Sequence, residues 1–351
     1  MFFMEKSVYK PLPETYERQN LMDVIPLKNP LSMLVDPASV CNFKCSFCPT
    51  GNPELIKSTG RNQVLLSLDL FKKIIADIEQ FETDLEVLRL YKDGEPLLNP
   101  NFVDFVKLAK SCPKIKRVET TTNGSKLTRK MSDNLIEAGI DRIVISIEGL
   151  SKEKYKEFVK VNFDFDGFIE NLTYLFGVSR GRCQIHIKTV HENLCPINGE
   201  DEFKAIFGEI CDRMFIEDTV PSWPEFALDY LSEDQQAFLD KKENEVLRKQ
   251  VCAYLFYSLS INADGEVSPC CVDWNRKLSL GNLNDQSILD VWNGKKLQDL
   301  RFKHLQYDRS QIESCSSCGQ IDYCSMENLD AHADKILEKM SKNAYINIKN
   351  W

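Results

Sequence analysis

Six short apolar segments with strand character alternate with six helical segments through the first two thirds of the chain. The predicted strands are residues 31–35, 86–91, 117–121, 142–147, 184–190 and 213–217. The predicted helices are residues 68–78, 102–109, 130–138, 152–159, 168–176 and 201–210. Because a strand reaches its parallel neighbour only through a covering crossover, this alternation predicts an α/β fold with a parallel sheet. Periodicity allows either an open doubly wound sheet or a partial barrel.

Three cysteines follow the first predicted strand directly. Cys41, Cys45 and Cys48 have spacings of four and three residues and fall on the loop that leaves this strand. Three thiolates are one fewer than structural zinc or an ordinary iron-sulfur centre takes. A [4Fe-4S] cluster held by them would keep one iron open for a small chelating ligand. The alternatives are a zinc loop with a distant fourth ligand and three buried free cysteines.

The spacing C-x3-C-x2-C, with Phe47 just before the last cysteine, resembles the signature of the radical S-adenosylmethionine (radical SAM) enzymes. In that family the open iron chelates the amino and carboxylate groups of SAM, and reduction gives methionine and a 5′-deoxyadenosyl radical. The resemblance implies a partial (β/α)6 TIM-like barrel. It also implies SAM and a SAM-binding [4Fe-4S] cluster as cofactors, and an electron donor of the flavodoxin or ferredoxin type.

Polar residues follow the next three predicted strands, where ligands of parallel α/β folds lie. Asp93, Gly94 and Glu95 resemble the family's Gly-Gly-Glu motif for the SAM amino group, with Asp93 in place of the first glycine. By themselves they also suit an ordinary turn. The resemblance implies SAM contacts from the following residues: Phe47, Asp93, Gly94, Glu95, Asn123, Ser146 and Glu148.

A second group of cysteines lies near the C-terminus. A hairpin around Asp264-Gly265 brings Cys270 back toward Cys252, and a predicted helix over 287–305 leads to the pair Cys315 and Cys318. Four thiolates select zinc or an iron-sulfur cluster.

The spacing of these C-terminal cysteines resembles the SPASM or twitch domain of radical SAM enzymes, which implies one auxiliary [4Fe-4S] cluster. The implied ligands are Cys252, Cys270, Cys315 and Cys318, with Cys324 and Cys271 as substitutes. Asn328 stands where a further SPASM cysteine would be, so two complete auxiliary clusters are not expected.

Composition limits the partners and the compartment. The formal net charge of -9 disfavours nucleic acid, and 13 cysteines grouped in metal-type spacings favour a reducing cytoplasm. The sequence contains no run of 18 apolar residues, so no membrane span is predicted. The expected organisation is an irregular lead-in (1–30), the partial barrel (31–222), a linker helix (223–250), the auxiliary cluster domain (251–330) and a tail (331–351).

The resemblance implies an oxidoreductase that abstracts hydrogen from a small polyol or sugar, with net dehydrogenation. The combination of one auxiliary cluster and this chain length is similar to twitch-type cyclitol dehydrogenases. A ribosomal-peptide maturase that crosslinks or epimerises residues is the first alternative. Epimerisation would need a thiol hydrogen donor, for which Cys183, Cys195 and Cys211 are candidates. A non-catalytic zinc protein is the second alternative.

Overall fold

One sheet of ten strands organises the computed structural model, which describes residues 5–8, 20–194, 199–217, 222–224, 226, 248–324 and 327–348. The strands are β1 Glu5–Val8, β2 Ser32–Val35, β3 Val87–Arg89, β4 Val118–Thr122, β5 Arg142–Ser146, β6 Gln184–Val190, β7 Arg213–Glu217, β8 Ser258–Ile261, β9 Glu266–Ser268 and β10 Gly281–Asn282. Their order across the sheet is β1-β7-β6-β5-β4-β3-β2-β8-β9-β10.

Strands β2 to β7 are parallel and stand in sequence order. They are the six predicted strands, and helices follow them in the α/β alternation predicted above. The helices are α1 Leu21–Val24, α2 Pro53–Ser58, α3 Leu68–Glu79, α4 Phe102–Ser111, α5 Arg129–Glu137, α6 Lys152–Val159, α7 Phe165–Ser179, α8 Gly199–Phe207, α9 Tyr254–Tyr257, α10 Ile288–Trp292, α11 Lys295–Leu305, α12 Glu313–Ser316 and α13 Ala333–Ile348. Within the described residues no pairing closes the sheet, so the fold is a partial (β/α)6 TIM-like barrel.

The C-terminal segment continues the sheet of the barrel. Strand β8 pairs in parallel with β2, with Ser32 opposite Ser258, and β9 and β10 then add antiparallel. The Asp-Gly hairpin predicted from the sequence connects β8 and β9, and Gly265 at its turn has φ of 89°. Both cysteine groups therefore lie on one hydrogen-bonded framework.

Amphipathic helices cover the sheet, as α3 illustrates. Ser67 caps its N-terminus by accepting a hydrogen bond from the Leu70 amide, and the apolar stripe places Phe71, Ile74 and Ile78 in the core. The Phe71 ring packs on Phe105 of α4 with centroids 4.4 Å apart. Burial of such side chains supplies most of the stabilisation of the helix.

The helix predicted over 287–305 and the lead-in differ from the sequence-based expectations. The predicted helix over 287–305 is two helices, α10 and α11, because Gly294 takes an extended backbone between them and glycine is a poor helix former. The lead-in contributes β1, antiparallel to β7, and the tail contains α13. Most of the predicted linker helix over 223–250 lies outside the described residues. None of the described helices is both long and apolar enough to cross a membrane.

We expect Ile74→Ala to lower the free energy of unfolding by about 2–5 kcal/mol, because Ile74 is fully buried and its truncation creates a cavity. Val64→Ala is the matched control, since Val64 is 37% exposed and its truncation should change stability by about 0.5 kcal/mol or less. Urea denaturation followed by tryptophan fluorescence measures both. Equal losses in the two variants would contradict this placement of α3.

Candidate active site at the carboxyl ends of the strands

A cavity of about 1320 Å³, counting its open mouth, lies at the carboxyl ends of β2 to β7. We call it the strand-end cavity. It lies where parallel α/β folds place their ligands. Every residue predicted for the N-terminal cluster and for SAM lines it, namely Cys41, Cys45, Phe47, Cys48, Asp93, Gly94, Glu95, Asn123, Ser146 and Glu148. The chain thus brings together one set of residues from four separate loops.

The cysteine loop, residues 41–48, is closed by a tight turn. The Cys48 amide donates to the Cys45 carbonyl (3.3 Å), and the Gly51 amide donates to the Cys48 carbonyl (2.9 Å). A Cβ on Gly51 would overlap the Cys45 carbonyl oxygen, so only glycine fits there. Burial raises the pKa of Cys41 to about 12 and raises those of Cys45 and Cys48 above their ordinary value. Thiolates here therefore need a cation such as cluster iron beside them.

Gly94 lies against the backbone of the segment that leads into the cysteine loop. The next amide, that of Glu95, donates to the Val40 carbonyl at 2.9 Å. A Cβ on Gly94 would overlap the carbonyl oxygens of Val40 and Ala38. The glycine predicted for close approach to a ligand thus also permits close approach of two protein segments.

Asp93 belongs to a buried group of charges. Its carboxylate lies 2.9 Å from Lys92 Nζ and 3.3 Å from an Arg61 guanidinium nitrogen. Burial alone would raise the pKa of Asp93, but these two cations lower it below its ordinary value. Arg61 also donates to Thr50 Oγ1 and to the Trp274 carbonyl, both at 3.1 Å. Arg61 thereby joins the residues after the cysteine loop, the turn after β3 and the segment after β9.

Glu95 and Asn123 connect the end of β4 to the cysteine loop. Glu95 accepts hydrogen bonds from Thr122 Oγ1 (2.6 Å) and from the amides of Leu97 (2.9 Å) and Asn123 (2.8 Å). Asn123 Nδ2 donates to Asn42 Oδ1 at 3.2 Å and lies 3.8 Å from Cys41 Sγ. Both carboxylate oxygens of Glu95 already have protein donors, so a SAM ammonium group would share them.

The lining of the strand-end cavity is mostly apolar, but polar side chains from the ends of β5, β6 and β7 lie together on its inner wall. Ser146, the last residue of β5, and Glu148 both line the cavity, and so does Ile147 between them, because the strand has ended at Ser146. Asn193 Nδ2 donates to Glu148 Oε2 at 3.1 Å, and burial raises the pKa of Glu148 to about 7. Lys188 and Glu217, at the ends of β6 and β7, form an ion pair of 2.9 Å on the same wall.

Sequence reasoning missed several cavity residues. They are Tyr91, Lys92, Lys188, Glu217, Ser222 and Trp223, and Cys271, predicted only as a substitute cluster ligand, lines the cavity as well. The only signal in the sequence was their position: Tyr91, Lys188 and Glu217 lie at or next to the carboxyl ends of predicted strands.

Four cysteines line a second cavity of about 490 Å³, which we call the C-terminal cavity. They are Cys252, Cys270, Cys315 and Cys318, the four ligands predicted for the auxiliary cluster. Arg309 Nε and an Arg309 guanidinium nitrogen donate to the carbonyls of Cys315 (2.9 Å) and Cys318 (2.7 Å), which fixes the C-x2-C turn. Four soft thiolate donors fit an iron-sulfur cluster. In the described parts of the chain, no three His, Cys, Asp or Glu side chains converge as around a single metal ion.

Two family models match the parts of the chain that hold these cavities. Residues 35–196 match the Radical SAM superfamily, and residues 252–319 match the SPASM iron-sulfur cluster-binding domain. The chain belongs to the radical SAM superfamily and carries a SPASM domain. Its cofactors are therefore SAM and [4Fe-4S] clusters. The donor sets of both cavities fit them.

Curated relatives of this radical SAM protein include enzymes with different reactions. The GTP 3′,8-cyclase of Shewanella denitrificans is 35% identical over 122 residues, which cover 35% of this chain and 34% of that enzyme. The match thus spans about a third of the cyclase. The S-adenosyl-L-methionine-dependent 2-deoxy-scyllo-inosamine dehydrogenase of Niallia circulans is 22% identical over 296 residues, covering 84% of this chain and 95% of that enzyme.

Two solved structures share the fold of this radical SAM protein. BtrN in complex with AdoMet and 2-DOIA has a TM-score of 0.54 and 20% identity, covering 85% of this chain and 96% of BtrN. Streptococcus suis SuiB bound to its precursor peptide SuiA has a TM-score of 0.59 and 17% identity, covering 87% of this chain and 73% of SuiB. At these identities the likeness shows the fold.

The remaining cysteines of the radical SAM protein fall into separate places. Cys324 ends the turn Gln320–Cys324, and its side chain lies outside what the structure describes, so its predicted ligand role stays a prediction. Cys271 lines the strand-end cavity and is absent from the residues lining the C-terminal cavity. Cys112, Cys183 and Cys211 are buried in the core.

We expect Gly94→Ala to reduce the iron bound at the cysteine loop, because the new methyl group displaces the backbone at Val40 and Ala38. Gly177→Ala is the matched control: apart from its chain neighbours and the nearby backbone of its own helix, nothing lies within 4 Å of its added Cβ, and in a helix it should stabilise the chain by about 0.5–1 kcal/mol. Iron per chain after anaerobic reconstitution measures the effect. Full iron in Gly94→Ala would contradict the close approach.

We expect Arg309→Met to lose about half of the bound iron, since two carbonyls of the C-x2-C turn lose charged donors and burial makes such losses cost about 1–3 kcal/mol each. Arg248→Met is the matched control, because Arg248 pairs with Asp322 from a side chain that is 53% exposed. It should keep its iron. An equal iron loss in both variants would show that Arg309 has no special role at the cluster.

Proposed function

We propose that this radical SAM protein abstracts a hydrogen atom from a hydroxyl-bearing carbon of a small polyol or sugar. Cys41, Cys45 and Cys48 would hold the SAM-binding cluster, and the turns after β3, β4 and β5 would hold SAM. SAM bound there supplies, on one-electron reduction, a 5′-deoxyadenosyl radical that can take hydrogen from an unactivated C–H bond. The residues of this chain position the substrate and determine the fate of its radical.

The group of polar side chains on the inner wall of the strand-end cavity is the observation that carries this proposal. Glu148, Lys188 and Glu217 are all at most 9% exposed, and they present acceptors and an ammonium donor toward one volume. A ligand with many hydroxyl groups can donate to the two carboxylates and accept from the ammonium group, in addition to the protein partners that these groups already have. Similarity to a dehydrogenase whose name specifies a cyclitol amine also supports this substrate class.

The polar side chains on the inner wall also bear on the alternative substrate, a peptide. SuiB, which shares the fold, was solved with a precursor peptide, so a peptide reaching through the mouth of the cavity is the alternative. A peptide backbone offers one amide donor and one carbonyl acceptor per residue, whereas a polyol offers a hydroxyl on nearly every carbon and so has more groups for these polar side chains.

A substrate radical at a carbinol carbon has two redox outcomes. Loss of the hydroxyl proton and one electron gives a ketone, which is the net dehydrogenation predicted from the sequence. Return of a hydrogen atom gives an alcohol again, with no net oxidation. The electron acceptor of the first outcome would be the auxiliary cluster at Cys252, Cys270, Cys315 and Cys318. An electron donor of the flavodoxin or ferredoxin type would supply the reducing equivalents.

We expect 5′-deoxyadenosine to form in the presence of one or more polyols, sugars or amino sugars with the reduced, reconstituted protein. Cys45→Ala should abolish this formation, because one of the three loop thiols is lost. The control Cys183→Ala removes a core thiol that lines neither cavity and should leave the rate unchanged. Liquid chromatography with mass spectrometry measures the product. Formation that depends on peptides and on none of the polyols or sugars would refute the proposed substrate class.

A further inference from the structure

Two adjacent cysteines face two different cavities. Cys270 lines the C-terminal cavity with Cys252, Cys315 and Cys318, whereas Cys271 lines the strand-end cavity with Cys41, Cys45 and Cys48. The pair lies two and three residues beyond β9, where the chain bends and turns, so the two neighbouring side chains reach different cavities. Cys271 is partly exposed, so its thiol is accessible from the cavity. Among the described cysteines beyond the cysteine loop, it alone lines this cavity.

The surroundings of Cys271 point to a polar ligand beside it. Ser222 lines the same cavity and is 1% exposed, and its Oγ has no hydrogen-bond partner among the described residues. A buried hydroxyl without a partner is costly, so a ligand hydroxyl in the cavity would satisfy it. Tyr91 also lines the cavity. Burial raises the pKa of Tyr91 to about 12, so its hydroxyl stays protonated.

The other thiols considered as hydrogen donors are badly placed. Cys183 and Cys211 are 7% and 1% exposed and belong to the core, and neither lines the strand-end cavity. Cys195 lies outside the described residues. The geometry therefore moves the donor role from these cysteines to Cys271.

We propose that Cys271 is a catalytic residue that donates a hydrogen atom to the substrate radical, so that the net reaction inverts a carbinol carbon. This inference rests on the hydrogen abstraction proposed above, and it replaces net oxidation as the outcome. The S–H bond of Cys271 breaks homolytically and a new C–H bond forms at the substrate carbon. An S–H bond is weaker than the C–H bond formed, so the transfer is downhill.

The step leaves a sulfur radical on Cys271, which must be reduced to the thiol before the next turnover. One electron and one proton regenerate the thiol. The proton comes from solvent at the open mouth of the cavity. The electron comes from a low-potential one-electron donor, the class of reductant that SAM cleavage also needs. Cys270, one peptide unit away, is a predicted ligand of the auxiliary cluster, so a redox centre would be adjacent to the sulfur radical.

The test is turnover in deuterium oxide with the full chain carrying its clusters, using the polyol or sugar that elicits 5′-deoxyadenosine. Thiol hydrogens exchange with solvent, so the wild-type product should gain one deuterium at an inverted carbon and match the substrate in oxidation state. Cys271→Ser and Cys271→Ala should still consume SAM but form no deuterated product. Cys183→Ala is the control and should give the wild-type product.

Two results would overturn the donor role. One is a wild-type product two mass units lighter than the substrate, which would restore net dehydrogenation. The other is undiminished deuterium gain in both Cys271 variants. Failure of the proposed function itself is distinguishable, because no polyol or sugar would then elicit 5′-deoxyadenosine.

A second measurement does not depend on turnover. In the reconstituted protein, iodoacetamide should alkylate Cys271 and spare the four cysteines of the C-terminal cavity, as read by peptide mass spectrometry. Cys271→Ser should keep the iron content and the electron paramagnetic resonance signals of the wild type. Loss of about half the iron in Cys271→Ser would make Cys271 a cluster ligand and refute the proposal.

Discussion

The buried charge group around Arg61 is the interaction on which the arrangement of both cysteine sites depends. Its guanidinium group donates hydrogen bonds to Thr50 beyond the cysteine loop and to the Trp274 carbonyl after β9, and it forms an ion pair with Asp93 after β3. Removing one partner of a buried ion pair costs about 3–5 kcal/mol, because it leaves the other charge uncompensated. Segments that are far apart in sequence are thus held against each other by one side chain that water hardly reaches.

Asp93 explains why this chain departs from its family at that position. A glycine in its place would leave Arg61 and Lys92 without their shared carboxylate. Gly94, the neighbouring position, keeps the glycine because a Cβ there would overlap the Val40 and Ala38 carbonyls. In this motif, buried charges therefore determine the residue at position 93, and the lack of space for a side chain determines the residue at position 94.

The six parallel strands and the cysteine loop could be predicted from the sequence because hydrophobic period and cysteine spacing are local signals. The group of polar side chains on the inner wall of the strand-end cavity could not be predicted. Lys188 and Glu217 are 29 positions apart and meet only because β6 and β7 pair in register. Strand β1 was missed because a four-residue segment with two charged residues shows no apolar alternation. The break at Gly294 was underestimated because the apolar positions continue on both sides of it.

The adjacent cysteines show the same limit at the level of single side chains. The resemblance implies Cys270 as the ligand and Cys271 as its substitute, and the structure separates the two by the cavity that each lines. Burial separates the remaining cysteines from Cys271. Cys183 and Cys211 also carry a thiol, but both lie in the core, where a substrate does not reach them.

The parallel pairing of β2 with β8 has a consequence for the autonomy of the two halves. All four residues of β2 are buried, and its backbone is bonded on one side by β3 and on the other by β8. A fragment ending after β7 would expose the amide and carbonyl groups of β2 along an apolar open edge, which invites edge-to-edge self-association. The cysteine-rich segment thus acts as a protective cover for the barrel as well as a cluster domain, and the two halves are best regarded as one cooperative folding unit.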